Sequence, residues 1–272
     1  MSTVASLSSV RRVTNLFAVL SIACVTLAGA QAPAAKGPRD GSELFGPIPK
    51  PLPADPKTLP RTSDGKPDFT GVWLAGTGGG GGYGGGPPPP LTPPYAAKMK
   101  EFADAAKAGH PFADSVSRCE GFGMPRVMSV GYIEFISKPK DQLTIITEIL
   151  HEVRRVYLDG RPHPSDLDLT FDGHSIGHWE GDTLVIDTVR IRANGMSMMA
   201  SHSDKLHVVE RITMPNRDGM IDEMTLEDPE ALTHPIKEEH YYKRQPRLQE
   251  IEEYICTNQR NAPDEKGFQT AE

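Results

Sequence analysis

Five histidines, His163, His174, His178, His202 and His207, fall between positions 163 and 207 of a 272-residue chain that holds 9 in all. Imidazole is the side chain most easily poised for proton transfer near neutral pH, so the cluster points first to acid/base chemistry or ligand contact. His163, His174 and His202 are the candidate proton carriers. His174 and His178 have the spacing that would put two ligands on one helical face. Ser175-Ile176-Gly177-His178-Trp179 reads as a strand, however, where residues four apart lie about 13 Å from each other, so a zinc-protease helix is not expected. A metal held by His163, His174 and His202 stands as an alternative to acid/base work, and no resident cofactor is expected.

Strand alternation supplies a second set. In the run from Leu206 to Ile212, the residues Leu206, Val208, Glu210 and Ile212 share a face, which sets a carboxylate among apolar side chains. The same test groups Glu148 with Thr144 and Ile146, and Arg155 with Val153 and Tyr157. A charge on an apolar face must be paired or hydrogen-bonded, so these residues form either an internal ion-pair network or the polar floor of a ligand cavity. On the second reading Glu148 and Glu210 join the histidines as catalytic candidates. Arg155, Arg126, Tyr157 and Trp179 then contact the ligand.

Other signatures are missing. The Gly run at 78–86 has no following Lys-Ser/Thr and helix, so it reads as low-complexity linker rather than a phosphate loop. There is no Gly-x-Ser-x-Gly, no Cys-x-x-Cys-His and no His-Glu-x-x-His. With 29 Lys+Arg against 36 Asp+Glu the net charge is −7, which argues against a general nucleic-acid binder because phosphate contacts need clustered positive charge.

The elements that must position these residues are mostly short strands. Val130–Ser137, Gln142–Leu150, Val153–Leu158, Ser175–Glu180, Thr183–Val189, Leu206–Thr213, Met220–Glu227 and Leu248–Cys256 are rich in β-formers and separated by turn clusters such as Glu180-Gly181-Asp182. A first strand begins near Gly71-Val72-Trp73, and Tyr95 to Lys107 has helical spacing of Tyr95, Met99, Phe102 and Ala106 behind Thr92 as a cap. The fold class expected is mainly β: a single antiparallel up-and-down barrel with one short accessory helix.

Residues 1–30 read as an export signal, with Arg11 and Arg12 before the apolar run Leu16 to Ala28 and Ala28-Gly29-Ala30 before Gln31. Residues 31–66 form a Pro-rich extended arm, 67–258 the barrel domain with a Gly/Pro-rich insert at 76–94, and 259–272 a tail. The expected location is periplasmic or secreted, with no integral membrane span in the mature chain. Cys24 leaves with the signal, so Cys119 and Cys256 remain as an even pair in an oxidising compartment and are expected to form a disulfide.

Asp159-Gly160-Arg161-Pro162-His163-Pro164, the long run from Gly173-His174-Ser175-Ile176-Gly177-His178-Trp179-Glu180-Gly181-Asp182-Thr183-Leu184-Val185 to Thr188, and Glu253-Tyr254-Ile255-Cys256 resemble a large family of exported bacterial proteins of unknown function. Pro67-Asp68-Phe69-Thr70-Gly71-Val72-Trp73 and Gly123-Met124-Pro125-Arg126 extend the resemblance over roughly 67–258. Position 178, here His, departs from the Arg of that pattern, which leaves His163, His174 and His202 as the stronger candidates. Gly-x-Trp at the first strand also resembles the opening of lipocalin-type (calycin) barrels. Two functions are expected from different classes. One is an exported enzyme of lyase, isomerase or hydratase type acting on a small hydrophobic molecule in a barrel cavity. The other is a carrier that binds such a molecule unchanged.

Overall fold

The computed structural model describes residues 50, 51, 53, 56–77, 88–110, 118–193 and 202–256. The expected signal, most of the Pro-rich arm, the centre of the Gly/Pro insert and the expected tail lie outside the described residues.

Nine strands close into one barrel in sequence order. They are β1 (Gly71–Thr77), β2 (Tyr132–Lys138), β3 (Gln142–Thr147), β4 (Val153–Tyr157), β5 (His174–Glu180), β6 (Thr183–Val189), β7 (His207–Asn216), β8 (Gly219–Glu227) and β9 (Ile236–Arg244). β1 pairs with β9 from Trp73↔Arg244 to Thr77↔His240 and thereby shuts the barrel. The barrel is mixed, which corrects the expected all-antiparallel arrangement: β4 and β5 run parallel through Val156↔Ser175 and Tyr157↔Ile176. Asp159-Gly160 is therefore not a hairpin turn. The chain leaves β4, bonds Leu158 N to Asp141 O at 2.8 Å, and uses residues 159–173 to travel back along the barrel before β5 begins. A parallel neighbour requires such a crossover.

The final strand is a second correction. Leu248–Cys256 is not a strand, and β9 lies upstream in Ile236-Lys237-Glu238-Glu239-His240-Tyr241-Tyr242-Lys243-Arg244, a segment too charged to show apolar alternation. Its pairing is dictated from both sides, because β1 and β8 would otherwise expose unpaired edges. Residues 251–256 instead lie extended against the turn after β3, where Tyr254 N donates to His151 Nε2 at 3.1 Å. Cys256 is bonded to Cys119 across a separation of 137 residues, so the bridge ties two non-strand segments rather than the first and last strands.

Inward side chains from all nine strands, among them Trp73, Phe135, Leu143, Val156, Leu184, Ile186, Val208, Met224 and Tyr242, belong to or pack against one buried cluster. Trp73 is fully buried, its indole N–H donates to Phe69 O at 2.9 Å, and Arg244 covers its ring at 4.1 Å. α1 (Pro93–Lys107) starts two residues before the predicted Tyr95, because prolines fit the first turn, where backbone N–H groups need no partner. Only Phe102 of this helix is buried, and Thr92 anchors its start by donating N–H and hydroxyl to the carbonyls of Ala231 and Glu230. Among the described residues no helix is long and apolar enough to cross a membrane.

Candidate functional site

β5, β6 and β7 present alternate residues to the outside because Ser175, Ile186, Thr188 and Val208 are buried. The outward set at one end of the barrel contains His174, Asp187 and His207. The crossover before β5 lays His163 against them. His163 Nε2 lies 2.9 Å from Asp187 Oδ1, and His207 Nε2 lies 2.9 Å from Asp187 Oδ2. His163 Nδ1 is 2.7 Å from His174 Nδ1, while His207 Nδ1 faces Glu227 Oε2 at 3.4 Å. Gly173 makes the approach possible: its φ is +66°, and a Cβ there would stand 2.6 Å from Val189 O.

The tautomers follow from the chemistry of the partners. An ionised carboxylate only accepts, so His163 and His207 each donate an Nε2 proton to Asp187. In the tautomer that carries its proton on Nε2, His163 offers a lone pair at Nδ1, and His174 donates its Nδ1 proton there. His174 is left with a bare Nε2 that has no protein partner among the described residues. Burial first, then the neighbouring Arg161 guanidinium and, whenever it is protonated, the His163 ring, lower the His174 pKa below its ordinary 6.5, which keeps it unprotonated and able to accept a proton. A proton taken up at Nε2 is stabilised through His163 by Asp187, the logic of an oriented base. The group is accessible, since His163 and His207 side chains are 20% and 33% exposed.

Tyr157 stacks on His174 at 5.3 Å between centroids, and Arg161, bonded to Asp159, covers the Tyr157 ring at 4.1 Å. Arg155 is exposed on the same outward face of β4 as Tyr157. His163, His174, Arg155 and Tyr157 are thus brought to one side of the barrel. The expectation that Arg155 lies on an apolar face is corrected: the inward residue is Arg154. In Val153-Arg154-Arg155-Val156 either parity holds one arginine and one valine, so alternation cannot choose between them.

Arg154 organises a second, interior network. Each strand from β4 to β9 contributes at least one buried polar side chain: Arg154, Ser175, Thr188, Glu210, Asp222 and Tyr242. Arg154 forks onto Glu210, with Nη1 to Oε1 at 2.8 Å and Nη2 to Oε2, and also donates to Ser175 Oγ and Thr188 Oγ1. Burial would push its pKa down, but Glu210 overrides this and the net shift is upward. Asp222 is pushed well up by burial and then by Glu210, so it holds a proton beside the Arg154–Glu210 pair. Glu210 is therefore inward as its strand pattern requires, and the network is an internal ion pair.

Glu148 does not share the inward face. Leu143, Ile145 and Thr147 are the buried members of β3, and the strand ends before Glu148, which accepts from Glu252 N at 3.4 Å. The carboxyl that alternation did not reveal is Glu152. It accepts from Phe122 N at 2.6 Å and Gly123 N at 2.9 Å, and burial followed by the Asp172 carboxyl pushes it up to about 7. His202 stands in another set of contacts. Its Nδ1 donates to Ser203 O at 3.0 Å, its buried Nε2 lacks a partner, and Ser203 is bound through N and Oγ to Asp228. The three-histidine metal set is accordingly not assembled. Among the described residues no group of three or more His, Cys, Asp or Glu is arranged to hold a metal ion. Arg126 covers the Phe122 ring at 4.6 Å, and Trp179 faces inward, stacked on Phe69 at 5.7 Å. Asp187 and His207 are the members of the outer chain missing from the sequence-derived site. Their signal was a polar residue of outward parity in each of two neighbouring strands.

No protein-family model, no curated protein and no solved structure matches this chain.

Proposed function

We propose that this chain is an exported small-molecule enzyme of lyase, isomerase or hydratase type, working by acid/base chemistry at the outer face of the barrel. The observation that carries the reading is the hydrogen-bonded chain from His174 through His163 to Asp187, which leaves His174 Nε2 bare as the base. Asp187 orients His163, His207 steadies the second carboxylate oxygen, and Tyr157 and Arg155 flank the position a substrate would take. Export is part of the proposal, and the Cys119–Cys256 bridge is in keeping with an oxidising compartment. Carriage inside the barrel is the weaker alternative, because inward residues such as Trp73, Phe135 and Tyr242 fill the interior.

A base that takes a carbon-bound proton exchanges it with solvent. Mature protein is incubated in deuterium oxide with a pool of small carbonyl and carboxylic compounds, and deuterium incorporation is read by mass spectrometry. The wild type exchanges at least one compound, and His174→Ala and Asp187→Asn lose that exchange while unfolding at the wild-type temperature. Full exchange in both variants overturns the assignment. An unchanged compound retained through native mass spectrometry, with no exchange anywhere in the pool, favours the carrier.

A further inference from the structure

Glu152, the residue before β4, sets its carboxyl in a backbone cradle formed by the segment that leads to β2. Phe122 N and Gly123 N donate to its two oxygens at 2.6 and 2.9 Å. A Cβ on Gly121 would stand 2.6 Å from Glu152 Oε2, so a residue without one lets the chain pass this close. The same segment is tied to the end of the crossover, where Met124 N donates to Phe171 O at 3.0 Å. Gly123, at φ +67°, approaches that carbonyl so nearly that a Cβ would lie 2.7 Å from it. Asp172, the next residue of the crossover, meets Glu152 carboxyl to carboxyl.

Two ionised carboxylates only accept, so carboxyls in hydrogen-bond contact hold a proton between them. Burial, then Asp172, pushes Glu152 up to about 7, and burial raises Asp172 as well. The charges on the surrounding elements are committed elsewhere. Arg154 of β4 acts on Asp172 but forks onto Glu210, Arg126 lies over the Phe122 ring, and Arg192 lies over Phe171. Arg118 pairs with Glu120, and His151 contacts Glu252 O and Tyr254 N. Among the described residues no amide, hydroxyl or guanidinium hydrogen-bonds to the buried Oδ1 of Asp172. A second negative charge in the pair therefore goes uncompensated.

We propose that Glu152 and Asp172 form a proton-operated latch: their shared proton holds residues 121–124 against the crossover, and ionisation of both carboxyls lets this segment lift and uncover Phe122 and Met124. Those two side chains are 3% and 1% exposed and belong to the core cluster, so lifting exposes apolar surface. The Cys119–Cys256 bridge anchors the segment two residues before Gly121 and limits the excursion. No residue of the histidine chain takes part, so the inference stands apart from the proposed reaction.

The sign follows from linkage. Glu152 titrates near 7 with the segment closed and at its ordinary 4.5 with it open, so closure is fully favoured below pH 4.5 and weakens up to about pH 7. From Glu152 alone, the opening equilibrium constant rises about 40-fold between pH 5 and pH 7 and levels off above.

Hydrogen exchange of the mature protein, read by mass spectrometry from pH 5 to pH 8 and normalised to the intrinsic exchange rate at each pH, tests the latch. The peptide covering 121–128 loses protection by about 40-fold from pH 5 to pH 7, and at every pH it exchanges faster than the peptide covering β7 and β8. Glu152→Gln keeps an acceptor in the cradle but cannot titrate, and its protection is independent of pH. Asp172→Asn removes the like charge but not the burial, and its rise in exchange is smaller than that of the wild type. A wild-type change below about threefold, a change of wild-type size in Glu152→Gln or Asp172→Asn, or a segment that exchanges no faster than β7 and β8 overturns the proposal.

Discussion

Arg154→Met tests whether the barrel interior depends on a charge pair that the sequence conceals. The side chains of Arg154 and Glu210 are 3% and 0% exposed, so solvent cannot replace a lost partner. Leaving one charge of such a pair alone costs about 3–5 kcal/mol, a large part of the roughly 5–15 kcal/mol that holds a domain folded. Ser175 and Thr188 lose a donor but keep each other at 2.9 Å, so the uncompensated carboxylate dominates the loss. The pair Arg154→Met/Glu210→Leu removes both charges and recovers most of the loss, because Asp222 already holds its proton. Urea unfolding at pH 7 followed by tryptophan emission measures both variants. A single-variant cost below about 1 kcal/mol at pH 7, or a double variant as unstable as the single one, refutes the reasoning.

Glu152, raised from 4.5 to about 7 by burial and by Asp172, stabilises the fold as the acid below pH 4.5. That contribution, about 3 kcal/mol at about 1.4 kcal/mol per pH unit, is lost as pH rises to about 7, and Glu152→Gln should flatten that part of the stability curve. An unaltered slope in calorimetric melts across this range contradicts it. Cys256→Ser opens a loop spanning a separation of 137 residues and lowers stability by about 5 kcal/mol in the chain-entropy model, without touching deuterium exchange. Equal melting temperatures for bridged and serine forms would sink this estimate. Because His174 titrates below 6.5, exchange activity holds at neutral pH and falls as its base is protonated at lower pH. An acid limb centred at or above pH 7 rules His174 out as the base.

Strands with one clear parity were legible from residues alone. Thr183–Val189 has the same limits in both readings, and Glu210 was placed inward because Leu206, Val208 and Ile212 leave its face unambiguous. The bonded cysteine pair and the closed mainly-β barrel with one helix follow from composition and turn spacing in the same way. Local pattern stopped where two parities were equivalent or where the decisive partner was remote. Arg154 rather than Arg155 turns inward because Glu210, Ser175 and Thr188 await it on three other strands. β9 exists because β1 and β8 must both be paired, not because its own residues alternate. The crossover after β4 makes β5 parallel and carries His163 onto Asp187, a contact across 24 residues that no local periodicity encodes. Periodicity reports which face a residue prefers, whereas closure of the barrel decides which faces meet.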